Sequence, residues 1–239
     1  MHPTALIIPA AGVGARFSAN GGPRKPFATL AGKPVLLRTL ERFLGIPDIV
    51  QRVVAVHPDD LQWVRDIWGA QLAAAGVDSI VAGGASRQES VRRGLAALRP
   101  EIEIVAVHDS VRPFVSQRAI VESIRQAIVY GGAVVACRMV ATVKQADPSG
   151  RIVQTIPREP LWMARTPQTF QREVLEIAYR AAEHDKVEAT DDSFLVERLG
   201  HTVMIVDEGP MNIKITTPDD LLIAEAILRI LQPAAGEGA

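Results

Sequence analysis

Short, uninterrupted runs of aliphatic residues, spaced by stretches of helical periodicity, limit what this chain can fold into more than any other feature. Ala5-Leu-Ile-Ile-Pro, Arg52-Val-Val-Ala-Val, Ile104-Val-Ala-Val and Ala133-Val-Val-Ala lack polar alternation, as expected of strands covered on both faces. Between them, Val35, Leu36, Thr39, Leu40 and Phe43 share one helical face, and Ile120, Ile124, Ile128 and Val129 share another. Strands covered on both faces need helices above and below, so the expectation is an α/β fold with a mainly parallel sheet flanked by helices.

Thr217-Pro-Asp-Asp ahead of Leu221, Leu222, Ala224, Ile227 and Leu228 predicts a capped terminal helix. Residues 233–239 are expected to be a disordered tail. Met139 to Pro157 breaks the pattern. It reads as two strands around the turn Asp147-Pro-Ser-Gly, and both strands are polar on alternate residues. A lone hairpin is marginal in water, so it is expected either at an antiparallel edge of the sheet or as a protruding β-hairpin arm, about 139–160, that embraces a second subunit. With no repeat, low-complexity stretch or dividing linker in view, one domain over 1–232 is expected.

Composition removes several function classes. The 239 residues carry 26 basic and 27 acidic side chains, a net charge of -1 that gives no field for gripping nucleic acid or an anionic membrane. No apolar run approaches the roughly 20 residues that span a bilayer. Met-His-Pro-Thr has neither the basic region nor the cleavage site of a signal peptide. The single cysteine, Cys137, excludes an internal disulfide and a zinc-finger cluster. A cytoplasmic protein with no nucleic-acid or membrane partner is expected.

The first strand leads into Pro9-Ala10-Ala11-Gly12-Val13-Gly14-Ala15-Arg16, small residues whose successive N–H groups can form an anion-binding nest. A dinucleotide fingerprint would need glycine where Phe17 stands, which disfavours a Rossmann dehydrogenase, and the Gly-Lys-Ser/Thr of a P-loop is absent. Two cations follow, Arg16 and, within Pro23-Arg24-Lys25-Pro26-Phe27, Lys25. Cations beside a nest suit a triphosphate; a flexible glycine turn with solvated charges accounts equally well for the spacing alone.

The ordered set of motifs is more specific. Gly83-Gly84-Ala85-Ser86-Arg87-Gln88-Glu89-Ser90-Val91 is followed by Val107-His108-Asp109-Ser110-Val111-Arg112-Pro113, Arg165-Thr166-Pro167-Gln168, Ala189-Thr190-Asp191-Asp192 and Asn212-Ile213-Lys214-Ile215-Thr216. From about Ala5 to Ile227 the chain resembles the 2-C-methyl-D-erythritol 4-phosphate cytidylyltransferase family, within the sugar and polyol nucleotidyltransferases. The resemblance implies a Rossmann-like form of the expected fold. It also implies a reaction in which the methylerythritol phosphate attacks the α-phosphorus of CTP and pyrophosphate leaves, with Mg²⁺ as cofactor and a homodimer joined through the β-arm. Carried over by position, Arg16 and Lys25 would stabilise charge at the α-phosphate, while Lys214 and Arg158 would hold and aim the methylerythritol phosphate. Pro9, Ala10, Ala11, Gly12 and Gly14 would form the nucleotide loop, with Gly84, Ala85 and Ser90 helping Ala10 and Ala11 to read cytosine. Asp109 would hold Mg²⁺ against the nucleotide. Arg112, Thr142, Thr166 and Thr190 would bind the polyol substrate, Arg158 and Thr142 reaching it from the arm. No general base is needed, because a phosphate oxygen is already anionic, and His108 reads as structural.

Each residue also has a plainer reading. Asp109 can cap a helix or pair with Arg112, Lys214 can be a solvated lysine, Ser90 a helix residue, and Thr166 and Thr190 turn caps. The sequence departs from the family pattern in the glycine-rich connection 18–24, in Ala85 and Ser86 where acidic residues are usual, and in Ser110-Val111 for Ala-Ala. The rival activities are a ribitol 5-phosphate cytidylyltransferase, which shares the loops, and a catalytically silent nucleotide-binding regulator, which has no need of Arg16, Lys25, Asp109 and Lys214 together.

Overall fold

The computed structural model describes residues 2–12 and 24–231. β1 (Thr4–Ala10) is buried end to end. After a 3-10 turn at Lys25–Phe27 come a small hairpin of β2 (Thr29–Leu30) and β3 (Lys33–Pro34), then α1 (Val35–Glu41), β4 (Ile49–Val56), α2 (Leu61–Ala74) and β5 (Ser79–Ala82). α3 (Arg87–Ala96), β6 (Ile104–Val107), α4 (Gln117–Tyr130) and β7 (Gly132–Arg138) continue the alternation. The remainder comprises β8 (Val143–Ala146), β9 (Ile152–Ile156), β10 (Trp162–Gln171), α5 (Arg172–Asp185), α6 (Asp192–Glu197), β11 (Met204–Asp207) and α7 (Pro218–Leu231).

Among the described residues, seven strands form one sheet in the order β11-β7-β10-β6-β1-β4-β5. The expected parallel sheet is present: β1 runs parallel to β4 and β6, β4 to β5, and β7 to β11. β10 alone runs against its neighbours, pairing antiparallel with β6 and β7. Its polar run and its proline hide it from pattern reading, and its ladder with β7 is interrupted between Ala164 and Gln168.

Strand alternation sends Leu6 and Ile8 to one face and Ala5 and Ile7 to the other, where each joins a separate apolar cluster. The first cluster packs α1, α2 and α4; the second packs α3, α5 and α6. Each fully buried Leu or Ile contributes roughly 1.5–3 kcal/mol. On α4, Ile120 and Ile124 are buried, but Val129 is 57% exposed: the apolar stripe ends at Ile128. α7 seals a third cluster with Leu30, Val35, Val111, Phe114 and Ile215, and its first turn is capped as expected, Asp220 accepting the Thr216 and Thr217 N–H groups. That contact ties Thr216 and Thr217, just after Lys214, to the start of α7.

The Met139–Pro157 segment does not extend the main sheet. Among the described residues β8 and β9 pair only with each other, in register Val143 to Ile156, and Val140, Ile152 and Val153 lie exposed. Asp147 shapes the turn by accepting the Ser149 and Arg151 N–H groups, and Gly150 takes φ +86. No described helix is long and apolar enough to cross a membrane. Residues 233–239 lie outside the described residues.

Candidate active site

A cleft of about 290 Å³ opens at the carboxyl ends of β1 and β6, the edge where open α/β sheets receive ligands. Of the residues anticipated from sequence, Pro9, Ala11, Gly12, Lys25, Gly84, Ala85, Ser90, Asp109 and Lys214 line it. Ala10 belongs to the core cluster instead. Gly14 and Arg16 lie outside the described residues.

One wall is the turn from β5 into α3. A Cβ on Gly83 would meet that of Ala11 at 2.5 Å, so glycine lets this loop close on β1. Ser86 caps α3 by accepting the Glu89 N–H at 3.0 Å, while Glu89 reaches back to the Ala85 N–H at 2.8 Å, close to a capping-box arrangement. Ser90, 1% exposed, accepts the Gly84 N–H at 3.0 Å and donates to the Ser86 carbonyl at 2.8 Å. It therefore shapes the loop from within α3. Because the N–H groups of Gly84 and Ala85 are already bound, those residues offer a ligand their carbonyl oxygens.

Lys25, which also lines the cleft, begins the 3-10 turn. Phe27, two residues on, is buried edge-on against Trp63 at 5.1 Å and stacked toward Trp68 at 6.5 Å. Arg24 pairs with Asp60 and contacts His57 Nδ1 at 3.2 Å. The turn is thus pinned on both sides of Lys25, by Arg24 to the connection between β4 and α2 and by Phe27 to α2 itself.

Asp109 sits at the floor, 6% exposed, where β6 ends. Its Oδ1 accepts from Arg87 Nε at 3.2 Å; its Oδ2 accepts from Arg112 Nε at 3.1 Å and Lys214 Nζ at 3.0 Å. Burial alone would raise its pKa, but Arg87, Lys214 and Arg112 together hold it well below the usual carboxylate range. Arg87 in turn reaches the buried Asp192 at 2.8 Å. Burial opposes the charge on Arg87, and Asp192 and Asp109 outweigh it, so the guanidinium stays protonated. Three cations on two carboxylates leave the cluster net positive, which suits an anionic ligand.

Thr166 and Arg112, anticipated as substrate ligands, are buried behind Asp109. Thr166 Oγ1 accepts the Asp109 N–H at 3.0 Å and lies 3.0 Å from His108 Nδ1. Arg112 spans from Asp109 to the Asn212 carbonyl, and burial lowers its pKa despite the Asp109 charge. Asn212 donates to the Thr166 carbonyl and to Glu208, fixing the segment that delivers Lys214. The pairing of Asp109 with Arg112 and the buried, structural setting of His108 are as the sequence allowed.

Thr142, Arg158 and Thr190 are exposed and stand outside the cleft-lining set. Arg158 bonds to the Val140 carbonyl at the base of the β8–β9 hairpin. Sequence reasoning gave no role to Arg87, Asp192 or Gln168, although all three lie within motifs it singled out. An arginine flanked by a helix cap and acidic residues far away in sequence has no local signature.

Known proteins are similar to this chain over nearly its whole length. The family model described as IspD, 2-C-methyl-D-erythritol 4-phosphate cytidylyltransferase, matches residues 4–230. A 2-C-methyl-D-erythritol 4-phosphate cytidylyltransferase from Syntrophus aciditrophicus (strain SB) is 41% identical over 223 residues, covering 93% of this chain and 94% of that one. A protein of the same name from Solibacter usitatus (strain Ellin6076) is 40% identical over 233 residues, covering 94% and 95%. Among solved structures, the 4-diphosphocytidyl-2C-methyl-D-erythritol synthase of Anaerococcus prevotii DSM 20548 superposes with a TM-score of 0.81 at 29% identity, over 95% of this chain and 99% of that one. The 2-C-methyl-D-erythritol 4-phosphate cytidylyltransferase of Thermus thermophilus gives 0.77 at 32% identity, over 94% and 98%.

Proposed function

Since this chain belongs to the 2-C-methyl-D-erythritol 4-phosphate cytidylyltransferase family, we propose how its own residues carry the family's reaction. The enzyme transfers the cytidylyl group of CTP to 2-C-methyl-D-erythritol 4-phosphate in non-mevalonate isoprenoid biosynthesis. A phosphate oxygen of the polyol phosphate attacks the α-phosphorus, the bond from the α-phosphorus to the bridging oxygen breaks, and pyrophosphate leaves with those electrons. The observation that carries the assignment is the buried Asp109 bound by Arg87, Arg112 and Lys214 in the cleft that Lys25 also lines.

The nucleophile is anionic near neutral pH, so the protein's work is to position two anions and neutralise their charge. Lys25, on its pinned turn, and Arg16 stabilise the charge that grows on the α-phosphate oxygens. Lys214 holds the phosphate of the incoming polyol. The carbonyl oxygens of Gly84 and Ala85 accept from the exocyclic amino group of cytosine, a reading that does not need the acidic side chains usual at 85 and 86. Arg112 and Thr166 act one layer behind, fixing Asp109. Thr190, exposed just ahead of α6, is assigned to polyol binding on the family pattern alone.

Asp109 is the residue that would hold Mg²⁺. Arg87 takes one of the roughly two acceptor positions on Oδ1, while Arg112 and Lys214 share Oδ2, so Oδ1 is the oxygen that would face the metal. The surrounding net positive charge disfavours a lone dication, so the metal fits only when it enters with the triphosphate, as is usual for Mg²⁺. When bound, it supplies positive charge to the phosphate oxygens.

The β8–β9 hairpin is assigned as the dimer arm, carrying Thr142 and Arg158 toward the neighbouring subunit's cleft. Its exposed Ile152 and Val153 support this, since a two-fold partner would cover them. Use of CTP supports a cytoplasmic location.

Pyrophosphate release tests the reading: turnover is expected with CTP, Mg²⁺ and 2-C-methyl-D-erythritol 4-phosphate, and is lost on chelation. Equal rates with ATP would refute the cytosine contacts, equal rates with ribitol 5-phosphate the polyol assignment, and turnover that survives chelation the role given to Asp109 toward Mg²⁺.

A further inference from the structure

The three cations on Asp109 are not equivalent. Lys214 is 39% exposed along its side chain, and its bond to Asp109 leaves it able to turn toward an arriving phosphate. Arg112 has its second anchor on a neutral acceptor, the Asn212 carbonyl, at 3.0 Å. Arg87 is held by a second full charge: Nε donates to Asp109 at 3.2 Å and Nη2 to Asp192 at 2.8 Å. A planar fork fixed at two points by charge-assisted bonds keeps one orientation.

Asp192 is itself over-determined. It is 1% exposed, at the first turn of α6, and its N–H donates to Gln168 Oε1 at 2.9 Å. Its Oδ1 accepts the hydroxyl of Tyr179, a residue of α5 that is 4% exposed and packs in the cluster formed by Val91, Leu95, Leu175 and Leu195. Nothing in that cluster other than the phenol needs a polar partner, and the phenol is spent on Asp192. Burial and the Asp192 charge both raise the Tyr179 pKa, so the hydroxyl stays a donor.

We propose that Asp192 and Tyr179 are positioning residues for cytidylyl transfer: acting through Arg87, they fix the direction of the Asp109 carboxylate and keep one cation on it while Lys214 engages substrate. The inference rests on the placement of Asp109 in the active site argued above. Neither residue touches the cleft; both act through the Arg87 fork. Removing the phenol leaves one oxygen of a buried carboxylate without its donor, and the compensation available to Asp192 is to turn, carrying Arg87 with it.

Tyr179→Phe is the primary variant because it removes one hydroxyl; Asp192→Asn keeps the shape and removes the charge. Each should lower kcat by on the order of 10-fold, the lower end for partners behind a metal-holding residue, with KM for CTP changed by less than about 3-fold. A second readout is independent of turnover: exchange of the Arg87 Nε–H with solvent, followed by ¹⁵N NMR and assigned by its loss in Arg87→Lys. It should speed up by on the order of 10-fold in Tyr179→Phe. In the Arg87→Lys background, Tyr179→Phe should cost no further activity, because the fork it steadies is gone.

Wild-type kcat and exchange in Tyr179→Phe would overturn the proposal, as would a lowered Tm with both unchanged, which is what a purely structural hydroxyl gives. Multiplicative losses in the double variant would overturn it too. If the wild-type protein releases no pyrophosphate from CTP and the polyol phosphate, the transfer reading fails by itself. The exchange rates then decide alone whether Asp192 and Tyr179 hold Arg87.

Discussion

Acid should destabilise this protein through a histidine that does no chemistry. His108 is fully buried, edge-on to Phe43 at 4.9 Å. Thr166 Oγ1 accepts the Asp109 N–H, so the hydroxyl proton is free for His108 Nδ1 at 3.0 Å, and Nε2–H donates to the Arg112 carbonyl at 3.0 Å. That pattern fits one neutral tautomer. Burial pushes the His108 pKa down to about 4, and the bond to the Arg112 carbonyl and the Asp109 charge only partly oppose it. The unfolded chain, with an ordinary value of about 6.5, takes up a proton in the window between these values that the folded state refuses. Stability contributed by His108 is therefore full above about pH 6.5 and falls as pH drops toward 4. The gap is worth about 3 kcal/mol in all, with about 2 kcal/mol lost by pH 5. Asp109 does not blur this window: its depressed pKa gives stability that is lost only as pH falls below the unfolded carboxylate value of about 3.9. Urea denaturation at pH 7, 6 and 5 should show the wild type losing about 2 kcal/mol more than His108→Gln, which keeps an amide donor and cannot titrate in this range. The other four of the five histidines are common to both proteins and cancel. Parallel loss in the two proteins would refute the neutral buried tautomer.

Lys25→Met keeps the aliphatic stem and removes the charge; turnover should fall by on the order of 10²-fold, more than CTP binding weakens, and near-normal kcat would sink the assignment. Ser90→Ala should cost about 1–3 kcal/mol by stranding the buried Gly84 N–H, and should raise KM for CTP more than it lowers kcat. Equal KM in that variant would show that the loop keeps its shape without the serine. If the arm serves the neighbouring subunit, Lys25→Met and Arg158→Ala unfolded and reassembled together should recover about a quarter of wild-type activity. About half the dimers are then mixed, each with one intact site of two. No recovery, with mixed dimers demonstrated, would place Arg158 in its own chain's site.

The parallel strands and the faces of α1 and α4 were legible because burial on both sides of a sheet writes itself as unbroken aliphatic runs, and burial on one side of a helix as a stripe. The stripe overran by one residue at Val129, since periodicity cannot tell the last buried turn from the first exposed one. β10 was not legible. Its Arg165-Thr166-Pro167-Gln168 core is polar, because these side chains bind loops and helix ends rather than packing in an apolar layer. The hairpin was legible as two strands, but its alternation alone fitted both an edge and an arm. Among the described residues its strands pair only with each other.

Within the site, Lys25, Asp109 and Lys214 were legible through ordered motifs, whereas Arg87 and Asp192 were not, because what matters about them is a distance between elements remote in sequence. β10 explains how that distance is kept. Thr166 and Gln168 stand two apart on this strand, wedged between β6 and β7. Thr166 takes the N–H of Asp109, and Gln168 takes the N–H groups of Asp192 and Ser193 at the start of α6. One antiparallel strand thus holds the backbones of both carboxylates that share Arg87. Among the described residues β10 is the strand that runs against its neighbours, and through Thr166 and Gln168 it ties a carboxylate from the end of β6 and another from the first turn of α6 to one backbone.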